Sequence, residues 1–259
     1  MSDLLMLLPR TQHLLIGVLG AHDAGKTTML TANYLLMLQG RCLADATFAG
    51  SRTLGAWESL ASWMRFHDAA LAPMFPPHTP RGSSRVPGLL HLALRRKSGE
   101  FRDVLLADAP GEWFSQWAIT ENAVPAEGAQ WLVDRSDAFV VIADCARLSG
   151  KDRGLARAEL LQLIERLGNH VGCRPTILVW TKSEFEVPSA IRESIKDALA
   201  RNIPSATEHC VTIGEPETFS DALGHIVSIS WDGPFSEPIV EKARRYDPFF
   251  AFRGHRASA

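Results

Sequence analysis

The sequence predicts an α/β domain with a mostly parallel central sheet and helices on both faces. Short apolar runs alternate with segments of helical periodicity along most of the chain, which is typical of successive β-α-β units. The first apolar run ends in a glycine-rich turn that leads directly into a helix. With 259 residues, 46% of them apolar, the chain is long enough to bury a large core. We therefore expect a single domain over residues 1–259.

The amino-terminal elements are predicted to be one strand and two helices. Residues 13–20 form an apolar run that ends in glycine, which predicts a buried strand. A helix follows until Gly40, and its apolar face is formed by Met29, Leu30, Tyr34 and Leu38. A second helix is predicted at residues 56–66, with an apolar face formed by Trp57, Leu60, Ala61 and Met64.

An insertion is predicted at approximately residues 56–88. Its second part, residues 71–88, holds five prolines and no periodicity, and therefore predicts a loop. Residues 89–96 and 102–111 predict two paired strands, joined by a turn at Ser98 and Gly99.

The remaining elements continue the alternation of strands and helices. Residues 137–148 and 174–184 predict buried strands, and residues 155–167 and 189–202 predict amphipathic helices. A last strand is predicted at residues 224–233, and a carboxyl-terminal tail follows at approximately residues 233–259.

Charge and cysteine content narrow the class of protein. The formal net charge is −2 and the pI is about 6.5, so the overall charge predicts neither a nucleic acid nor an anionic membrane as partner. The cysteines are scattered without metal-ligand spacing, which favours reduced thiols in a cytoplasmic protein. The apolar start MSDLLMLLPR is too short for a membrane span and runs directly into a strand.

The turn after the first strand matches the phosphate-binding pattern G-x-x-x-x-G-K-[ST]. A strand before the pattern and a helix after it are the context that this motif requires, so we expect a P-loop NTPase domain. Backbone N–H groups and the helix N-terminus would surround the phosphates, Lys26 would reach the outer phosphates, and the Thr27 hydroxyl would ligate Mg²⁺. The predicted nucleotide-binding residues of this loop are Gly20, His22, Asp23, Ala24, Gly25, Lys26, Thr27 and Thr28.

Two further motifs follow predicted strands. Asp108 and Gly111 belong to a D-x-P-G pattern, in which the acid would hold Mg²⁺ and the glycine N–H would sense the terminal phosphate. Thr181, Lys182 and Glu184 form T-K-x-E, with a lysine to pack along a base and an acid to accept from guanine. A solvated pair of loop charges is the alternative for this second motif. Ser230 and Trp231, at the end of the predicted last strand, are weaker candidates for the base site.

The order of P-loop, D-x-P-G and T-K-x-E resembles the TRAFAC class of GTPases, which is Ras-like and related to translation factors. The resemblance covers roughly residues 14–233. The phrases ADATFAGSRTLGAWE and DAPGEWF resemble GTPases of bacterial conflict and defence systems of the double-GTPase type. This implies a Mg²⁺-dependent switch that binds and hydrolyses GTP to GDP. It also implies protein partners from the same system, including a second GTPase.

That class implies three further roles near the terminal phosphate. A hydroxyl residue after the first helix should close over Mg²⁺, and among Thr47, Ser51 and Thr53 we favour Thr53. The place after D-x-x-G usually holds a glutamine that orients the attacking water, but this chain has Glu112. Arg52 is a candidate arginine finger, although a surface arginine is the commoner explanation.

The candidate catalytic residues are Lys26, Glu112 and Asp23. Translation elongation factors are similar in having an aspartate at the place of Asp23. We hypothesise that Asp23 helps to hold a monovalent cation, K⁺, which would compensate for the missing glutamine. Two other functions stay open: a GTP-binding interaction module with negligible turnover, and an ATP-using P-loop enzyme.

Overall fold

A computed structural model of the chain describes residues 13–65, 75–76, 87–121 and 124–231. These residues form one α/β domain with a seven-stranded sheet. The strands are β1 His13–Leu19, β2 Ala46–Gly50, β3 Gly88–Arg96, β4 Phe101–Asp108, β5 Ala138–Asp144, β6 Thr176–Thr181 and β7 Thr207–Cys210. The helices of the described residues are α1 Lys26–Leu38, α2 Leu54–Met64, α3 Gly111–Ile119, α4 Glu127–Arg135, α5 Cys145–Ser149, α6 Arg153–Val171, α7 Ser189–Asn202 and α8 Glu217–Trp231.

The sheet is mostly parallel, in the order β2-β3-β4-β1-β5-β6-β7. β1 pairs in parallel with both β4 and β5, and β6 and β7 continue the parallel part. β2 and β3 are antiparallel to their neighbours. In the register, Val18 lies beside Asp108, and Asp144 lies beside Thr181. Because the parallel strands end at the same edge of the sheet, their following loops meet there.

Helices cover both faces of the sheet. One hydrophobic cluster joins α1, α2 and α8 to the sheet and includes the fully buried Tyr34 and Trp57. The other joins α3, α4, α6 and α7 to the opposite face and includes the fully buried Phe114 and Trp117. Strand β5 is buried along its whole length, as expected for a parallel strand between two layers of helices. The predicted fold class is therefore confirmed.

Most predicted elements are confirmed, including helices α1 and α2 and the β3–β4 hairpin. In the hairpin, Gly99 has a φ of 93° and its N–H donates to the carbonyl oxygen of Arg96 at 3.0 Å. The predicted strand at 137–148 is shorter, because Asp144 ends β5 and caps α5 through the N–H groups of Ala146 and Arg147. The predicted loop at 71–88 and the tail at 233–259 lie largely outside the described residues.

The predicted last strand is wrong. Residues 224–231 belong to α8, whose buried residues Phe219, Leu223, Ile226 and Val227 recur at helical spacing. The last strand is β7, a short polar edge strand that the sequence pattern did not reveal, because three of its four residues are exposed. β2 was also missed.

Two further predictions concern the cysteines and a membrane span. Cys42, Cys145, Cys173 and Cys210 are all free. In the part of the chain that the structure describes, none of the helices has both the length and the apolar character needed to cross a membrane.

Candidate functional site

The phosphate-binding loop connects β1 to α1 at the carboxyl edge of the sheet. Gly20 packs against β5, since a Cβ placed on it would lie 2.9 Å from the Cβ of Ile142. Gly25, just before α1, has a φ of 90°, in the left-handed region that glycine adopts without strain. Gly25 is thus required by its backbone conformation, and Gly20 is required by its close contact with strand β5.

Lys26 extends along the inside of the loop. Its ammonium Nζ donates to the carbonyl oxygens of Gly20, at 3.0 Å, and Ala21, at 2.7 Å. Burial lowers the pKa of Lys26 from 10.5 to about 8, although the nearby carboxylates of Asp108, Glu112 and Asp23 act in the opposite direction. The loop therefore holds a cationic group at its centre, next to three acids.

Thr27 and Asp108 form the oxygen pair expected of a Mg²⁺ site. The Thr27 hydroxyl donates to both carboxylate oxygens of Asp108, at 3.1 and 3.0 Å. Asp108 ends β4, so the parallel register with β1 brings it to the loop. A hydroxyl and a carboxylate in contact are oxygen ligands that suit a hard divalent cation.

Helix α3 packs directly on the phosphate-binding loop through Gly111. A Cβ on Gly111 would lie 2.2 Å from the backbone nitrogen of His22 and 2.3 Å from the carbonyl carbon of Ala21. No side chain fits between these two backbone segments. Glu112 follows in the first turn of α3, and its Oε1 lies 4.0 Å from Nε2 of His22.

Thr181 and Lys182 join the predicted base site to the phosphate-binding loop. The Thr181 hydroxyl donates to the carbonyl oxygen of Ala24 at 2.7 Å. Lys182 has a φ of 53°, and its Nζ donates to the carbonyl oxygen of Asp23 at 2.9 Å and to Oδ2 of Asp144 at 2.7 Å. A threonine in the first position of the motif thus fastens the two loops together. Asp144, to which the sequence pattern assigned no role, holds the lysine.

Glu184 completes this end of the site. Its Oε2 accepts a hydrogen bond from the Thr212 hydroxyl at 2.7 Å, in the loop between β7 and α8. The sequence patterns missed Thr212 because they assigned the last loop of the site to the wrong part of the chain. A short turn after an edge strand carries little pattern of its own.

A single cavity of about 480 Å³ connects the two ends. This volume is in the range of sites for small ligands. Its lining includes most of the predicted residues: His22, Asp23, Ala24, Gly25, Lys26, Thr27, Thr28, Gly111, Glu112, Thr181, Lys182 and Glu184. Apolar residues that were not predicted also line it: Phe75, Pro76, Phe185, Ile213 and Phe219.

Thr53 does not line the cavity. It precedes α2, and its Oγ1 accepts the backbone N–H of His91 in β3 at 2.8 Å. The Ser51 hydroxyl donates to the carbonyl oxygen of His91, and the Arg52 N–H donates to its Nδ1. Burial lowers the pKa of His91, which keeps this ring nitrogen available as an acceptor. The structure thus holds Thr53 on β3 and not beside the Thr27–Asp108 pair.

Ser230 and Trp231 lie elsewhere as well, so their predicted place beside a base is wrong. The Trp231 carbonyl oxygen accepts a hydrogen bond from Arg102. The guanidinium of Arg96 lies 4.5 Å from the centre of the Trp231 ring. Arg102 lies near the start of β4, whereas Asp108, at the end of β4, contacts Thr27 in the cavity lining. The physical reason is the helical conformation of α8, which carries these residues to the opposite edge of the sheet.

The fold and this loop define a P-loop nucleotide-binding domain. A profile of the Double-GTPase 2 family matches residues 14–224. The chain therefore belongs to the Double-GTPase 2 family, which confirms the resemblance found in the sequence.

Comparison with solved structures gives a distant likeness. The crystal structure of Era in complex with MgGDPNP and nucleotides 1506–1542 of 16S ribosomal RNA is similar over 89% of this chain, at 13% sequence identity and a TM-score of 0.42. This chain spans 60% of the length of that Era chain. A search of curated protein sequences gave no match.

Proposed function

We propose that this protein binds Mg²⁺-GTP in the 480 Å³ cavity and hydrolyses it to GDP and phosphate, slowly in the absence of a partner. The observation that carries the proposal is that Lys26 and Thr27 line one continuous cavity together with the Thr181–Lys182–Glu184 motif, and that Thr27 is hydrogen-bonded to Asp108. The first cluster suits the phosphates and the second suits the base.

The residues of the chain would share the work of binding and positioning. On phosphate binding, Lys26 would exchange its two loop carbonyls for the outer phosphates. Thr27 and Asp108 would hold Mg²⁺, which when bound neutralises charge on the outer phosphates. Glu184 would accept from the guanine N–H donors, with its carboxylate oriented by Thr212.

Hydrolysis requires a water molecule in line with the terminal phosphate. The water oxygen forms a bond to the terminal phosphorus, and the bond from that phosphorus to the bridging oxygen breaks, leaving its electron pair on GDP. The water proton leaves with the phosphate product. Glu112, in the first turn of α3, would accept a hydrogen bond from this water. Its negative charge beside an anionic phosphate supports a slow intrinsic rate.

The guanine assignment and the turnover are tested together. We expect nucleotide extracted from the purified protein to be GTP or GDP by mass spectrometry. We also expect excess GDP, and not excess ATP, to displace labelled GTP. Displacement by ATP at a similar concentration would favour the ATP-using enzyme instead.

The second candidate is a GTP-binding interaction module with negligible turnover. The crowding of Asp23, Asp108 and Glu112 around Lys26 favours it, because negative charge opposes the transition state of phosphoryl transfer. Single-turnover hydrolysis with and without partner proteins separates the two. Binding with no phosphate release under either condition would select the module.

We also propose K⁺ as a further cofactor beside Asp23. The Asp23 carboxylate is close to the phosphate-binding loop, but its Oδ2 lies 3.0 Å from Nδ1 of His22, so a cation would share this acid with the histidine. Faster hydrolysis in potassium than in lithium buffer is the expected result. Equal rates would count against the cation.

The biological setting is proposed from family membership and from the resemblance to conflict-system GTPases. We propose a cytoplasmic component of a bacterial multi-protein antiphage system, acting with other proteins of that system, including a second GTPase. Phage plating on cells that carry the natural gene neighbourhood tests this. Protection should be lost with Lys26→Ala, and protection that persists would contradict a nucleotide-dependent role.

A further inference from the structure

Two of the acids near Lys26 stand apart from the expected Mg²⁺ pair. Asp108 is hydrogen-bonded to Thr27, whereas Asp23 lies in the loop and Glu112 in the first turn of α3. Both act on Lys26 through their charge. A terminal phosphate bound by Lys26 would therefore lie near two carboxylates besides that of Asp108.

His22 lies between these two acids. Its Nδ1 is 3.0 Å from Oδ2 of Asp23, and its Nε2 is 4.0 Å from Oε1 of Glu112. One imidazole thus faces two carboxylates, one with each ring nitrogen. The side chain is 44% exposed and lines the nucleotide cavity, so it is accessible to a ligand.

The backbone fixes the position of this histidine relative to α3. The contact of Gly111 with the backbone of Ala21 and His22 sets the separation between the loop and the first turn of α3. The backbone itself therefore fixes the separation between the phosphate-binding loop, which carries His22, and the first turn of α3, which carries Glu112. His22 stands on the Lys26 and Glu112 side of the cavity, where the proposed function locates the terminal phosphate.

Resting on the proposed function, we propose that His22 is a positioning residue for GTP hydrolysis. Its Nε2 faces the Glu112 carboxylate and holds that carboxylate where it accepts a hydrogen bond from the attacking water. The water oxygen then bonds to the terminal phosphorus as the bridging oxygen leaves on GDP with the electron pair, and the proton departs with phosphate. Because GDP lacks the terminal phosphate, His22 affects GTP and not GDP.

The test combines binding and single-turnover kinetics of His22→Ala. Loss of this contact with the Glu112 carboxylate should lower the single-turnover rate by about tenfold to a hundredfold. The affinity for a slowly hydrolysed GTP analogue should fall, while the affinity for GDP stays within about twofold. The matched control is His225→Gln, a partly buried histidine of α8 that does not line the cavity, which should change neither quantity.

A double-mutant cycle tests whether His22 acts through Glu112. If it does, the rate of the double variant with Glu112→Ala equals that of Glu112→Ala alone, because the second change removes nothing further. Independent, multiplicative effects would overturn the proposal, as would equal losses of GTP and GDP affinity. Failure of the wild-type protein to bind GTP or GDP would instead refute the proposed function. Binding with no single-turnover hydrolysis would refute both the hydrolysis and the role of His22.

Discussion

At the scale of single residues, the surroundings of Lys26 couple its charge to phosphate binding. Its ammonium group is satisfied by two loop carbonyls, and burial lowers its pKa to about 8. Above that pH, Lys26 of the free protein is mostly neutral. A bound triphosphate favours the charged form and so raises the pKa again. Nucleotide binding is therefore linked to a proton.

We expect GTP binding at pH 8.5 to take up a fraction of a proton and GTP affinity to fall as pH rises above about 8. The sign follows because the free protein, with its lowered pKa, binds fewer protons than the complex in this range. Calorimetry in two buffers of different ionisation enthalpy measures the uptake.

Lys26→Arg is the control for this linkage, because a guanidinium stays charged throughout the range. Ionisation of guanine would contribute equally to the proton uptake of the wild type and of the variant. Only the proton uptake that is due to Lys26 should therefore disappear in the variant. Equal proton uptake by the wild type and the variant would assign the proton to another group.

The residues fixed by short-range patterns could be predicted from the sequence, and those fixed by long-range contacts could not. Lys26 and Thr27 follow from a loop of constant length between a strand and a helix. Thr53 was expected at the metal, but it is held by a hydrogen bond to His91 in strand β3, which is distant in the sequence. No local pattern reports that partner. The Lys182–Asp144 pair was missed for the same reason.

At the scale of elements, the seating of α3 on the phosphate-binding loop depends on Gly111. We expect Gly111→Ala to lower the free energy of unfolding by about 1–3 kcal/mol, because the added Cβ would meet rigid backbone at 2.2 Å. GTP affinity should fall as well, since the loop and helix are pushed apart. Urea unfolding and equilibrium nucleotide binding measure the two effects.

Gly55→Ala is a matched control in helix α2. A Cβ there meets nothing within 4 Å, so the change should be neutral or stabilising by up to about 1 kcal/mol, from helix propensity alone. If both alanine variants lost the same stability, the close contact of α3 with the loop would not be the cause.

The loop between β7 and α8 is expected to orient Glu184 through Thr212. Thr212→Val keeps the shape of the side chain but removes the hydroxyl that donates to Oε2. We expect GTP affinity to fall by about three- to tenfold, since this exposed hydrogen bond contributes about 1 kcal/mol. ATP affinity, measured by competition, should not fall with it.

Thr207→Val, in the exposed strand β7, is the control for the loss of a threonine hydroxyl. Its GTP affinity should match that of the wild type. An unchanged affinity in Thr212→Val would show that Glu184 needs no such support.

The error at the carboxyl-terminal end of the fold also belongs to this scale. The run GHIVSISW is rich in β-branched residues and was therefore predicted as a strand. Its conformation is decided by a longer helical pattern that begins at Phe219 and buries one face against α1 and the sheet. Tertiary burial overrides local strand propensity here. The actual edge strand has no apolar alternation by which to recognise it.

At the scale of the whole molecule, the cavity joins loops from four parallel strands, so a ligand should stabilise the entire sheet. At 100 times its dissociation constant, a ligand adds about 2.7 kcal/mol to the free energy of unfolding. For a domain of this size each kcal/mol raises Tm by about 2–4 °C, so we expect a rise of about 5–10 °C. Thermal unfolding with GTP and Mg²⁺ measures it.

The same experiment with EDTA, and with Thr27→Ala, tests the contribution of Mg²⁺. Both should reduce the rise produced by GTP, because the Thr27–Asp108 pair is the proposed ligand set. An equal rise with and without the divalent cation would contradict Mg²⁺ dependence.

The two ends of the sheet limit how this domain can associate with other proteins. Within the described residues the sheet ends at β2 and β7, both of which are short. The register of β2 is interrupted between Phe48 and Gly50, and β7 exposes polar side chains. Short, irregular and polar edges are poor templates for adding a strand from another chain. Strand addition at either described edge is thereby disfavoured, which leaves the helical faces and the nucleotide-site loops for the partner contacts that we propose.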